Sequence, residues 1–515
     1  MGHQQWLSTS VSVPKEEVNV RQAKPNSPPI SRPTTRQTVH NERKRTVEAY
    51  NQDHNYDVVF IPTPTQAYRS HRKYEKAISQ PGTPVVQDPM PVSETPKVPP
   101  WLRWGSRAVT WKQDPSTTET GFQKVFLPGR IMAGPRDTRI QVLGMHPVTP
   151  NAMGDFVQTP NTDSFDAVHT FVAVRQTLTM IERSVHPKAI PWYWNGASNT
   201  EPISVHPHAG DTMNAYYSRS EKALKFYSFK SPTNPTIVNT CRSFDIVSHE
   251  TGHAILDGLK PAWLSWNNPP QTAALHESFG DLVAIFLTLS QSDQVEAIVV
   301  QTKANLHNKS FLADLAEQSG LALGRPYGLR NADNHLKLSQ VSSEVHDLSQ
   351  VFTGAIYDIL ADMFAFERNP AQRDEAAVLH QVAQYLCSLV IRAMMAAPDT
   401  AATFADVANA MLKIAHADGK PIEYCNFIRN QFVMREVVVS PTPLTQNYKA
   451  GVVLKPGIQD HPDAIQTRDA CCGTMQLHEY DDVEYELEEE ISQFKIALTD
   501  YEKAAAQGKS VSKQH

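Results

Sequence analysis

The segment His249-Glu250-Thr251-Gly252-His253 constrains this 515-residue chain more than any other. An α-helix turns once every ~3.6 residues, so residues i and i+4 project from one face. On a helix, His249 and His253 therefore point the same way, and two imidazoles so placed can grip one zinc ion. Glu250 then points to the metal's open position, where a water binds. Any fold that uses this segment must bring a third ligand to it, because hydrolytic zinc sites keep three protein ligands and one free position. The plain alternative is a helix with two part-exposed histidines and a solvated glutamate, since three fixed positions in five recur by chance.

The next apolar run supplies the third ligand. Ala274-Leu275-His276-Glu277-Ser278-Phe279-Gly280-Asp281-Leu282 opens a helix-like stretch through Val283, Ile285, Phe286 and Leu289. Glu277 and Asp281 are again i and i+4. Glu277 could ligate the metal, while Asp281 could accept the N–H of a ligand histidine and hold its tautomer. His276 is a rival ligand, turned about 100° from Glu277 on a helix of ~3.6 residues per turn. A third histidine of the H-E-x-x-H-x-x-G-x-x-H type is excluded, because Leu256 and Leu259 stand at its Gly and His positions.

Together the two segments resemble the thermolysin-like zinc metallopeptidases, the gluzincin or neutral metalloprotease family. Phe244-Asp245-Ile246-Val247-Ser248-His249-Glu250 resembles that family's entry to its zinc helix, and Glu277 with an acid four residues on resembles its second helix. His346-Asp347-Leu348-Ser349, with Tyr357 eleven residues after the histidine, resembles its late histidine segment. Asn214-Ala215-Tyr216-Tyr217 resembles its substrate edge strand, Tyr327-Gly328-Leu329-Arg330 its carbonyl-binding arginine segment, and Asp166 through His186 its long N-terminal-lobe helix. The likeness covers roughly residues 160–435.

The resemblance implies zinc held by His249, His253 and Glu277, with Asp281 behind them. It implies Glu250 as general base and His346 as hydrogen-bond donor to the oxyanion. Asn214 and Ala215 would align the substrate backbone, and Arg330 would bind a substrate carbonyl. The chain also departs from the family. The gap from His253 to Glu277 is longer than usual and holds no tyrosine, which leaves Trp263 or Trp266 as indole donors in its place. Asp245 matches a family calcium ligand, but Thr288 stands where its acidic partner is expected, so calcium rests on Asp245 alone. Otherwise Asp245 simply favours the helix N-terminus.

The rest of the chain bounds the setting. A net charge of −6 gives no basic surface for nucleic acid. Five cysteines show neither C-x-x-C ligand spacing nor a disulfide framework. The first residues lack a basic start followed by an apolar run, so no secretory signal is expected, and the expectation is a cytoplasmic location or export by a non-classical route. No stretch approaches ~20 uninterrupted apolar residues, so no membrane span is expected. A monomer acting on polypeptides fits these bounds.

Along the chain, residues 1–120 hold a large share of the 37 prolines and read as a disordered segment. Within them Val58-Val59-Phe60-Ile61 is an apolar knot able to dock or plug a cleft. Residues 121–240 read as a mixed α/β N-terminal lobe. Its short β-like runs, Lys124-Val125-Phe126-Leu127 and Leu224-Lys225-Phe226-Tyr227, flank one helix carrying Phe171, Val174, Leu178, Ile181 and Val185. Residues 241–436 read as a helical C-terminal lobe, and 437–515 as a partly disordered tail with an acidic helix around 479–490. The fold expected is α+β: a β-rich lobe and a helical lobe, with the zinc helix between them. The function expected is a zinc metalloendopeptidase. The alternatives are a zinc-binding scaffold without turnover, or a zinc hydrolase of a non-peptide amide.

Overall fold

The computed structural model describes residues 105–117, 121–185, 189–196, 199–265, 267–325 and 327–458, together with a short strand at Met475–Gln476. The knot at Val58–Ile61, the acidic run near 479–490, His186 and Trp266 lie outside the described residues. The fold is mixed α/β, with small sheets in its first half and helices dominating its second. Among the described residues one apolar core runs from Ala108 to Leu454, so strands and helices share a single interior.

Strand β1 (Ser106–Trp111) pairs antiparallel with β2 (Phe122–Leu127). β1 falls inside the proline-rich segment read as disordered. Its side chains alternate between buried and more exposed, which is the two-residue period of a half-buried strand, and β2 supplies the partner. The main sheet contains β3 (Ile140–Val142), β4 (Ile203–His206), β5 (Ala215–Ser218), β6 (Ala223–Phe226) and the Met475–Gln476 strand. The last of these sits at the edge beside β5, which pairs antiparallel with β6, and β4 and β3 follow in parallel. Helix α1 (Asp163–Ser184) carries the apolar stripe anticipated for it, capped by Thr162, whose side chain accepts the Phe165 N–H. It packs against β1 and against the helix bearing His249.

Helix α2 (Phe244–Leu259) starts at Ser243, whose hydroxyl accepts the Ile246 N–H, and has Asp245 in its first turn. Helix α3 (Pro270–Leu289) opens with proline at its first position, where a missing N–H costs nothing, and every one of its residues is buried. By length and composition, α3 and the later helix Glu375–Ala396 could each cross a membrane. For α3 the apolar character is accounted for by core packing, since it is enclosed by protein on all sides.

Helix α4 (Ser292–Thr302) leads to strand β7 (Asp314–Leu315). The short helix α5 (Glu317–Ala322) and strand β8 (Arg330–Asn331) follow. β8 pairs antiparallel with β7. Helix α6 (Val345–Glu367) lies across α3, and Ser278 Oγ donates to the Ser349 carbonyl at 2.9 Å. Helices α7 (Glu375–Ala396), α8 (Phe404–Ala417) and α9 (Ile422–Met434) complete the helical half.

Candidate metal centre

Two glycines let α2 and α3 cross closely. A Cβ on Gly252 would sit 3.1 Å from the Gly280 Cα, and one on Gly280 would fall 2.7 Å from the His249 ring. Larger residues at either point would push the helices apart, so these two set how near the histidines of α2 come to the acids of α3. Gly280→Ala should therefore displace the His249 ring and weaken any metal binding by roughly tenfold or more while leaving the helical circular dichroism unchanged. Titration with a zinc-competing dye checks this, and unchanged affinity would sink the account of the crossing.

At that crossing the donors converge. One donor atom from each of His249, His253 and Glu277 lies within 4.8 Å of the other two, and all three residues are buried. His249 Nε2 is 3.0 Å from His253 Nε2 and 3.4 Å from Glu277 Oε2, and His253 Nε2 is 3.5 Å from Glu277 Oε1. Two ligands ~2.0–2.1 Å from a tetrahedral zinc ion stand about 3.3 Å apart. The spacing fits such an ion. Two imidazole nitrogens and a carboxylate gathered in so small a volume call for positive charge, from protons or from a bound cation.

The protonation preferences express that demand. Burial disfavours charge on His249, but the carboxylates of Asp281 and Glu277 outweigh it and push its pKa up to about 10. Burial holds His253 well below the usual imidazole range, which keeps a lone pair available. For Glu277 burial acts upward, yet His346, His253 and His249 together hold its carboxyl well below the usual range.

The residues behind the trio orient it. His249 Nδ1–H donates to Asp281 Oδ1 at 2.9 Å, leaving Nε2 to face Glu277. Asp281 in turn accepts from Arg330, Nε to Oδ2 at 2.9 Å and Nη2 to Oδ1 at 2.6 Å. Arg330 is thus engaged with Asp281, a contact its likeness to a carbonyl-binding arginine did not suggest. His276, the rival ligand, lies outside the trio: its Nδ1 is 3.4 Å from His253 Nδ1, on the far side of that ring from Glu277. Burial pushes the His276 pKa down to about 3, so it serves as a neutral partner to His253.

Glu250 is buried beside the trio, with Oε2 lacking a hydrogen-bond partner. Burial raises its pKa well above the usual range, against the attraction of His249 and a hydrogen bond from the Tyr217 backbone N–H. That bond places β5 against α2, and a second tie runs from Tyr217 Oη to Asp257 Oδ2 at 2.7 Å.

His346, in the first turn of α6, reaches Glu277 as well, Nε2 to Oε2 at 3.4 Å. Its Nδ1–H donates to Glu344 Oε1 at 2.7 Å. Sequence reasoning passed over Glu344, whose only signal is an acid two residues before the histidine.

Ala215 opens β5 and Asn214 precedes it, but β5 is not the sheet edge and Asn214 is engaged locally. Its Oδ1 accepts the Ala215 N–H at 2.8 Å, and its carbonyl accepts from Thr240 Oγ1 at 3.2 Å. The strand Met475–Gln476 pairs with β5 at Tyr217 and Ser218. Trp263 does not take the place of the absent tyrosine, because its indole N–H donates to the Pro398 carbonyl at 2.9 Å.

The calcium question turns on a second buried knot. Asp245 lies beside Asp114 and Glu317, acids contributed by segments far apart in the sequence. Each of the three has one carboxyl oxygen without a hydrogen-bond partner. Burial, then repulsion from Asp114, pushes the Asp245 pKa up to about 7. Thr288 contributes no acid there, and its hydroxyl accepts from Gln113 Nε2 at 3.0 Å. These three acids do not bring donor atoms together as the His249 trio does. Comparison with protein-family models and with curated proteins finds no match to the chain.

Proposed function

We propose that this chain is a zinc-dependent endopeptidase similar to the thermolysin-like metallopeptidases. In this reading His249, His253 and Glu277 hold the metal, α2 lies at the floor of a cleft between two lobes, and the substrate is a polypeptide. The observation that carries it is the convergence of those three donors at zinc-like spacing with a buried carboxyl, Glu250, next to them. A protein that merely stored a structural zinc would use a closed set of four ligands and would need no buried acid beside it.

When bound, zinc supplies Lewis-acid polarisation to a water and to the substrate carbonyl. Glu250 takes the proton released as the water oxygen bonds to the carbonyl carbon, and passes it to the amine nitrogen as the C–N bond breaks. His346, held through Nδ1 by Glu344, turns Nε2 toward Glu277 and can donate from it to the developing oxyanion. One such donor contributes about 2.7–4 kcal/mol. Arg330 acts through Asp281, fixing the carboxylate that orients His249. Asn214 and Ala215 would align an extended peptide by strand addition, at the start of β5, ahead of the Tyr217 and Ser218 that pair with the Met475–Gln476 strand.

Casein hydrolysis followed with and without 1,10-phenanthroline tests the reading. Cleavage should stop with the chelator and return when zinc is added in excess. A protein that retains zinc yet cleaves neither casein nor a panel of small amides is a binding protein, and cleavage of the amides alone marks a non-peptide hydrolase.

A further inference from the structure

A second group of metal-ligating side chains lies away from the trio. It joins His307, in the loop after α4, Asp333, just beyond the Arg330–Asn331 strand, and Asp358, near the middle of α6. One donor atom from each lies within 4.8 Å of the other two. His307 Nδ1 is 2.8 Å from Asp333 Oδ1. Asp358 is 5% exposed; its Oδ2 accepts from Arg435 Nη2 at 2.8 Å, while its Oδ1 is buried with no partner at all. A buried carboxylate oxygen without a donor is costly unless something positive meets it.

The surroundings favour a cation further. Asp362 stands one helical turn after Asp358 and also faces His307, with its Oδ2 accepting from Gln431 Nε2 at 3.0 Å. The carboxylates of Asp333, Asp358 and Asp362 all act on His307, while the buried Arg435 guanidinium and the His335 imidazole act on Asp358. His307 is exposed, so an ion can enter from solvent. A mixed set of one imidazole and two carboxylates suits zinc-class divalent ions better than calcium or magnesium, which prefer oxygen alone.

We infer that His307, Asp333 and Asp358 form a second divalent-metal site, separate from the His249 trio. Its placement gives it a task. Tyr357 Oη already donates to the Leu306 carbonyl at 2.8 Å, tying the His307 loop to α6. A metal shared by the three residues would fasten that loop and the chain after Arg330 to the same helix that carries His346. It would thereby steady both the arginine that grips Asp281 and the histidine beside Glu277, while touching neither.

The test counts zinc by mass spectrometry on full-length protein equilibrated with Zn2+ and desalted, with circular dichroism as the folding control. His307→Ala combined with Asp333→Asn should remove one equivalent from the wild-type protein. The same pair should remove one further equivalent from Glu277→Ala protein, in which the first centre is already disabled. Both changes fall on residues at or near the surface, and Asp358, which also holds Arg435, is left intact. Zinc should raise the melting temperature of Glu277→Ala protein, and this gain should vanish with the added pair. Unchanged zinc content on adding His307→Ala and Asp333→Asn, in folded protein of either background, overturns the assignment. Because the readout is metal content in a background without the first centre, failure of the peptidase reading does not affect it.

Discussion

Replacing Glu250 with glutamine should leave zinc content unchanged and slow casein hydrolysis by roughly 10²- to 10⁴-fold, the usual contribution of a positioned proton-transfer group. The two properties separate because Glu250 stands beside the donor trio and is no member of it. Glutamine keeps the length and shape of the side chain but cannot take a proton from water. The same change should not lower the melting temperature. Glu250 is buried with an unpartnered oxygen, so its charged form is a burden on the fold that the neutral amide relieves. Assays of metal content, turnover and melting on one preparation decide the matter. Near-normal turnover would remove Glu250 from the chemistry, and lost zinc would place it among the ligands.

Glu277→Ala should act differently, abolishing both zinc binding at this centre and hydrolysis. The Glu277 carboxylate stands between His249, His253 and His346, and without it two neutral imidazoles remain to hold a divalent ion. It also removes the anion that stabilises charge on His249, leaving Asp281 as that ring's remaining carboxylate neighbour. Breaking buried charge pairing of this kind costs about 3–5 kcal/mol. Glu277→Gln, which keeps the volume and one acceptor oxygen, is therefore the companion variant for a folded protein with impaired metal binding. A folded Glu277→Ala or Glu277→Gln protein that binds zinc at this centre with undiminished affinity would show that the trio is not the ligand set.

Much of the local structure was legible beforehand. The stripe on α1 and the apolar run of α3 both follow from periodicity, which acts between residues a few positions apart. β1 was missed because six residues among prolines carry little signal until β2 is seen to pair with them. His276 illustrates a second limit. Its angular offset from Glu277 was apparent, but its contact with the far nitrogen of His253 depends on where α2 lies relative to α3. Trp263 illustrates a third, since its N–H goes to Pro398, 135 positions away.

What the order of residues determined by itself is which side chains share a helical face: His249 with His253, and Glu277 with Asp281. Backbone geometry dictates that relation whatever the rest of the chain does. Only the tertiary structure decided that the two faces meet, through the approach at Gly252 and Gly280. It also decided that Arg330 grips Asp281 and that α6 carries His346 to Glu277. Those contacts join elements far apart in sequence. They depend on how whole helices pack into one core, a property of summed burial and shape that no short stretch of residues encodes.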